Sequence, residues 1–159
     1  EVESKRRQQA QRQGVRILYH CTPGLKIHCN WIALTDCIQE LVDNSLTYGF
    51  LEPRQNRSKP EITIDVSELD DTIVVHYQDN GQGIRPELRD RIFEPFAASM
   101  HGNYMHPGLG MHRLFSVIKL TLQGHIELAA SNEGVHFVIK LPRQIDANVR
   151  DTGQNPGYD

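Results

Sequence analysis

At 159 residues the chain has the length of a single domain, and its 38% hydrophobic content is enough for one packed core. The formal net charge of -3, with Lys, Arg, Asp and Glu mixed along the sequence, argues against nucleic acid or an anionic membrane as the main partner. Cys21, Cys29 and Cys37 lack the paired spacing of a zinc or disulfide framework, and no apolar run reaches the about 20 residues that span a bilayer or resembles a signal-peptide core; the expected setting is reducing and cytoplasmic, with any membrane anchor outside this chain.

Residues 1–14 are charged and Gln-rich, and suggest a linker or the end of a helix from a preceding domain. Val15 to Tyr19 predicts a strand, and Pro23-Gly24 a turn leading to a second short strand over Leu25 to Cys29. Asn30 is placed to cap a helix whose apolar residues, from Trp31 and Ile32 through Leu34, Ile38, Leu41 and Val42 to Leu46, recur at helical spacing up to Gly49; Trp31 and this stripe are expected in the core. Leu51 to Pro60 is a polar loop. Glu61 to Ser67 and Thr72 to Gln78 alternate as a β-hairpin does, and a short helix begins at Pro86. Ala97 to Pro107 has no period and suggests a mobile loop. Leu109 to Thr121 returns to helical spacing, and strands Ile126 to Ala130 and Val135 to Leu141 flank the turn Asn132-Glu133-Gly134. The polar tail, 143–159, is expected to be disordered. Residues 15–142 should therefore form one α/β (α+β) two-layer sandwich, a mixed sheet packed on helices.

Three pieces of this chain carry chemistry. Glu40 and Asn44, four apart, share a helix face, where a carboxamide oxygen is a neutral hard ligand and a carboxylate beside it can orient or deprotonate water. Asp79-Asn80-Gly81-Gln82-Gly83 follows a strand directly; its carboxylate can accept from an amino group, and its glycines permit close backbone approach to a ligand. Gly108-Leu109-Gly110-Met111-His112 opens a helix, where free amides and the helix dipole suit an anion. Each alone has an ordinary counterpart: a solvated helix face, an Asx turn, a flexible loop.

Their order and spacing resemble the GHKL (HATPase) ATP-binding fold, specifically the catalytic domain of two-component sensor histidine kinases. Glu40-Leu-Val-Asp-Asn44-Ser-Leu-Thr-Tyr48 resembles the N box, Asp79-Asn-Gly81-Gln-Gly83-Ile84 the first glycine box, Ile92-Phe93-Glu94-Pro95-Phe96 the F box, and Gly108-Leu109-Gly110-Met111-His112 the second glycine box. The likeness runs from Val15 to Pro142. It implies ATP as ligand with Mg²⁺ on Asn44, Glu40 and Asn44 as catalytic residues, and Asp79 on the adenine amino group. Tyr48, Gly81, Gly83, Ile84, Phe96, Leu109, Met111 and His112 would line the nucleotide site, with Gly108 and Gly110 near the phosphates. The loop between Phe96 and Gly108 would be the ATP lid, and Phe93 and Phe96 would mainly pack its base.

The resemblance further implies a phosphoacceptor histidine on a separate dimerisation domain, a downstream response regulator, and a monomeric isolated module. Three positions depart from the pattern. Glu40 stands where many sensor kinases have Asn, as in the gyrase, Hsp90 and MutL relatives that use Glu as general base. Thr47 stands where Lys or Arg is common, and no Lys or Arg occurs between Ala97 and Pro107; His106-Pro107 replaces the usual pair before the second glycine box. Phosphate charge would then fall to Mg²⁺, backbone amides and His101, His106, His112 or Arg113. Two other readings stay open: a degenerate nucleotide-sensing or partner-binding module, and an ATPase using Glu40 as base.

Overall fold

The computed structural model describes residues 2–51, 59–97 and 108–144. Two layers pack on each other. The sheet has the order β1-β2-β3-β5-β4, formed by β1 (Arg16–Cys21), β2 (Glu61–Leu69), β3 (Thr72–Asp79), β4 (His125–Leu128) and β5 (Val135–Pro142). β1 runs parallel to β2, and the other pairs are antiparallel, so the sheet is mixed. Period-two alternation points Ile62 and Ile64, Ile73, Val75 and Tyr77, and Phe137, Ile139 and Leu141 to one face, where they meet Leu41, Leu46, Leu114 and Ile118 of the helical layer.

That layer contains α1 (Val2–Gln13), α2 (Trp31–Asn44), α3 (Pro86–Arg89) and α4 (Gly110–Ser116). Asn30 caps α2, its side chain accepting from the Ala33 amide at 3.1 Å. Both α2 and α4 pass without a break into a π turn, at Ser45–Gly49 and Val117–Thr121. The β2–β3 hairpin is tighter than the sequence suggests. Asp70 and Asp71 take φ of 48° and 58°, so two left-handed residues close it and the strands extend to Leu69 and Thr72.

Two differences from the sequence reading stand out. No strand forms over Leu25 to Cys29: after the Pro23-Gly24 turn, only His28 makes a single bridge, to Gln144. The alternation there is real, because Leu25, Ile27 and Cys29 lie against the core, but the segment covers it as a loop. Trp31 and Ile32 are 68% and 72% exposed; Ile32 borders a hollow of about 330 Å³ that Ala33, Cys37, Leu114 and Val117 also line, and the core contacts of this turn come from Ala33 and Leu34 instead. Of the two expectations for the N-terminal residues, a linker or the end of a helix, residues 2–13 form a helix, α1, whose Ala10 is buried. The expectations for the lid (98–107 of it) and for most of the tail (145–159) fall outside the described residues.

Candidate functional site

Strand alternation places Asp79 last on the inner face of β3, after Ile73, Val75 and Tyr77, so its carboxylate enters the core edge and is only 6% exposed. A buried carboxylate needs donors. Oδ1 accepts from the amides of Gly81 (2.9 Å) and Val135 (3.2 Å), and Oδ2 from the Ser45 hydroxyl. Ser45 Oγ in turn lies 2.7 Å from the Tyr77 hydroxyl, which is also 3.0 Å from the Leu41 carbonyl oxygen. Burial pushes the Asp79 carboxyl above its ordinary value, and the three donors only partly oppose it. A carboxylate has about four acceptor positions, and three are filled from the protein, which leaves one on the Oδ2 side for a ligand N–H.

Glycines let other backbone segments close on this carboxylate. A Cβ at Gly134 would sit 1.9 Å from the Asp79 carbonyl oxygen, and one at Gly81 would sit 2.5 Å from the Gly49 carbonyl oxygen. Gly83, at φ 78°, packs on Gly134. The Gln82 amide donates to the Gly49 carbonyl at 2.9 Å, and its side chain donates to the Tyr48 carbonyl, so the first glycine box is fastened to the end of the N box. Ile84 packs against the core below.

The second half of the site lies between α2 and the start of α4. Glu40 Oε1 occupies the space a Cβ at Gly110 would need, 2.1 Å from that position, and Oε2 is 3.4 Å from the Arg113 guanidinium. One turn on, the Asn44 amide nitrogen donates to Met111 Sδ at 3.3 Å, which leaves the Asn44 oxygen as the atom to offer a cation. Leu109, 39% exposed, precedes the first turn of α4. His112 turns away: its Nδ1 is 3.0 Å from the Phe93 carbonyl oxygen, where it braces the F box. Phe93 packs on the rings of Phe115 and Phe137 at 5.3 and 6.2 Å, whereas Phe96 is half exposed at φ 63°. The Phe96 amide donates to the Gly108 carbonyl at 3.3 Å, drawing together the two ends of the segment 98–107.

Thus Glu40 and Asn44 meet Gly110 and Met111, Asp79 meets Gly81, and Tyr48 meets Gln82 of the first glycine box. Ser45, Tyr77 and Gly134 complete the Asp79 network without having been singled out as site residues. Tyr77 had a visible signal, since it lies two residues before Asp79 on the same strand face. Among the described residues no group of three His, Cys, Asp or Glu side chains could hold a metal ion, the cysteines are free, and no helix is long and apolar enough to cross a membrane.

Comparison with known proteins bears on the family and the fold. Residues 29–145 match the family model described as histidine kinase-, DNA gyrase B- and HSP90-like ATPase. The sensor histidine kinase GtrS of Pseudomonas aeruginosa is 32% identical over 114 residues, covering 70% of this chain and 21% of that protein. Among solved structures, the catalytic domain of histidine kinase ThkA superimposes with a TM-score of 0.73 at 18% identity, covering 91% of this chain and 90% of that one. ThkA in complex with the response regulator protein TrrA gives 0.68 at 17%, covering 89% and 38%. The chain spans about a fifth of the length of the sensor kinase GtrS. It belongs to the histidine kinase-, DNA gyrase B- and HSP90-like ATPase family, whose members bind ATP.

Proposed function

We propose that this chain is the catalytic module of a sensor histidine kinase, which holds Mg-ATP and presents the γ-phosphate to a histidine on a dimerisation domain elsewhere in the parent protein. The observation that carries the reading is the buried Asp79 carboxylate, with one acceptor position unfilled and the glycine backbone of Gly49, Gly81 and Gly134 close around it. An adenine amino group suits that position: one N–H donor, a flat ring, and glycines that leave room for it.

The phosphates would then lie toward Gly108 and Gly110. Asn44 supplies a carboxamide oxygen for Mg²⁺, a hard cation that takes oxygen ligands from protein and phosphate together, and its charge would neutralise the phosphates that no basic side chain of the N box meets. The residues present do the positioning, which is most of what phosphoryl transfer requires. In the transfer the bond from the γ-phosphorus to the β–γ bridging oxygen breaks, a bond to the acceptor imidazole nitrogen forms, and ADP leaves. A response regulator aspartate is the onward acceptor. Residues 15–142 form the module in this reading, working in the cytoplasm, with 1–14 joining it to the preceding domain and 143–159 following as a tail; alone it is a monomer.

Glu40 supports a second activity. Its carboxylate faces the start of α4, where a water near the γ-phosphate could be deprotonated, as in a hydrolase. Calorimetric titration with Mg-ADP, and ATP turnover with wild type and Glu40→Gln, test both readings. Binding with negligible turnover supports the kinase module. Turnover that falls at least about 100-fold in Glu40→Gln while affinity is kept makes the chain a hydrolase. Absence of binding by the wild type would refute both.

A further inference from the structure

We propose that α1 is a control element of the nucleotide site, in which Arg6 and Gln13 are positioning residues that set the geometry of Asn44; the inference rests on the nucleotide reading above. Arg6, Gln9, Ala10 and Gln13 fall three or four apart and so share one face of α1. That face lies along the N box. The Arg6 guanidinium grips both oxygens of Asp43, at 2.6 and 2.7 Å, and reaches Gln39 Oε1 at 3.0 Å. Such a two-point fork fixes direction as well as distance. Further along, the side-chain amides of Gln9 and Gln13 both donate to the Leu46 carbonyl, at 3.4 and 2.9 Å, and Ala10 is 5% exposed between them.

These contacts fall where α2 leaves α-helical pitch. Directly after Asn44 the helix changes from α to π pitch, over Ser45–Gly49, a form that is rare and recurs at functional sites. Leu46 belongs to that turn. From the opposite side Ser45 hydrogen-bonds Asp79, and Gly49 receives the first glycine box. The turn is therefore held by α1 on one flank and by the adenine-side carboxylate on the other, with Asn44 at its start. A shift or rotation of α1 would carry Asp43 and the Leu46 carbonyl with it, and hence Asn44 against Met111, while the Ser45–Asp79 bond holds the far side of the turn. α1 precedes the family-matched residues 29–145, so anything that moves it acts on affinity for Mg-nucleotide without touching the pocket. The Gln13 Oε1 atom is buried without a hydrogen-bond partner among the described residues, a burden that packing alone does not call for.

The test uses the whole chain as Arg6→Ala, Asp43→Ala, the double variant and Arg6→Lys. Calorimetry follows ADP with and without Mg²⁺, and amide hydrogen exchange follows Asn44 to Gly49 without nucleotide. We expect Arg6→Ala and Asp43→Ala each to weaken Mg-ADP about five- to tenfold and metal-free ADP less than about twofold, the double variant to be no weaker than either single, and Arg6→Lys to recover part of the loss. Exchange at 44–49 should rise in Arg6→Ala. Unchanged exchange there overturns the proposal whatever the nucleotide does. Mg-ADP affinity within twofold of wild type in Arg6→Ala, or losses that simply add in the double variant, overturns it too. If exchange rises but the wild type itself binds no ADP, the nucleotide reading fails and the control of a nucleotide site falls with it, leaving only the packing contact.

Discussion

Replacing Asp79 by Asn separates recognition from folding. The change is isosteric. Oδ1 can still accept from the Gly81 and Val135 amides, while the new NH2 replaces the oxygen that meets Ser45 and, on its open side, the ligand amino group. The site loses a hydrogen bond to a charged acceptor, which contributes about 1.5–3 kcal/mol, and places a donor against a donor. The expected outcome is Mg-ADP binding weakened by roughly 10- to 150-fold, read by calorimetry. Stability should move the other way. Because burial raises the carboxyl's pKa in the fold, the folded state favours the protonated form. Its stabilising effect is complete below the unfolded value and is lost as pH rises through the folded one. At pH 8 the wild type bears the full penalty of a buried anion, which the neutral amide of Asp79→Asn avoids, so the variant should melt at the same temperature or higher at pH 8, with less advantage at pH 4. Affinity within twofold of wild type would refute the placement of the amino group on Asp79. A melting point lowered at pH 8 would show that the carboxylate is needed for the fold, whatever it binds.

Three further outcomes follow from the same contacts. Gly134→Ala must find room for a Cβ 1.9 Å from the Asp79 carbonyl oxygen at φ 60°, so it should destabilise by about 2 kcal/mol or more and lower affinity with it, measured by urea unfolding and calorimetry. Gly110→Ala forces the Glu40 carboxylate from the start of α4 but leaves the core intact; melting should hold within a few degrees while Mg-nucleotide binding weakens severalfold. His136, partly buried and 2.9 Å from His76 on the outer face of the sheet, has its pKa lowered first by burial and then by His76. The fold favours neutral His136, so stability should be full above the unfolded value near 6.5 and fall as pH drops below it; thermal melts between pH 7.5 and 5 should be flatter in His136→Gln than in wild type.

The sheet and most helices were legible because one strong pattern dictated each. Alternation in Glu61 to Ser67 and Thr72 to Gln78 has no competing period, and Asn30 marks where α2 starts. The failures have equally local causes. Leu25 to Cys29 alternates like a strand, but hydrogen-bond partners, which no side-chain pattern encodes, decide ladder formation, and the segment finds only the single His28 bridge to Gln144. Trp31 carries the apolar signal of a core residue, yet it is exposed while Ala33 and Leu34 of the same turn make the core contacts. At the site, the motif residues were visible through their spacing, whereas Ser45 and Gly134 were not, since a serine in a helix and a glycine in a hairpin turn are ordinary until the fold brings both to Asp79. At α1 the sequence left a linker and the end of a helix both open. Its composition promises little buried area, and what fixes it is polar: a guanidinium fork and two amides on one carbonyl.

That polar attachment bears on how the end of the N-box helix would yield in the proposed reading. An apolar seam tolerates sliding by small amounts with gradual loss of contact, but Arg6 on Asp43 and Gln13 on Leu46 are directional and stay formed only over a narrow range of positions. On the opposite flank the Ser45–Asp79 bond is directional as well, and it is buried. A π turn held by hydrogen bonds on two sides has two ways to yield, and the partly exposed one, at Arg6, is the weaker, because solvent competes for the guanidinium and the buried pair has no such competitor. Strain arriving through α1 would therefore release the outer bonds while Asp79 kept its own. Adenine recognition would survive a disturbance that moves Asn44, so the two halves of the site should respond separately: the base half set by the sheet, the phosphate half by the helix that precedes it.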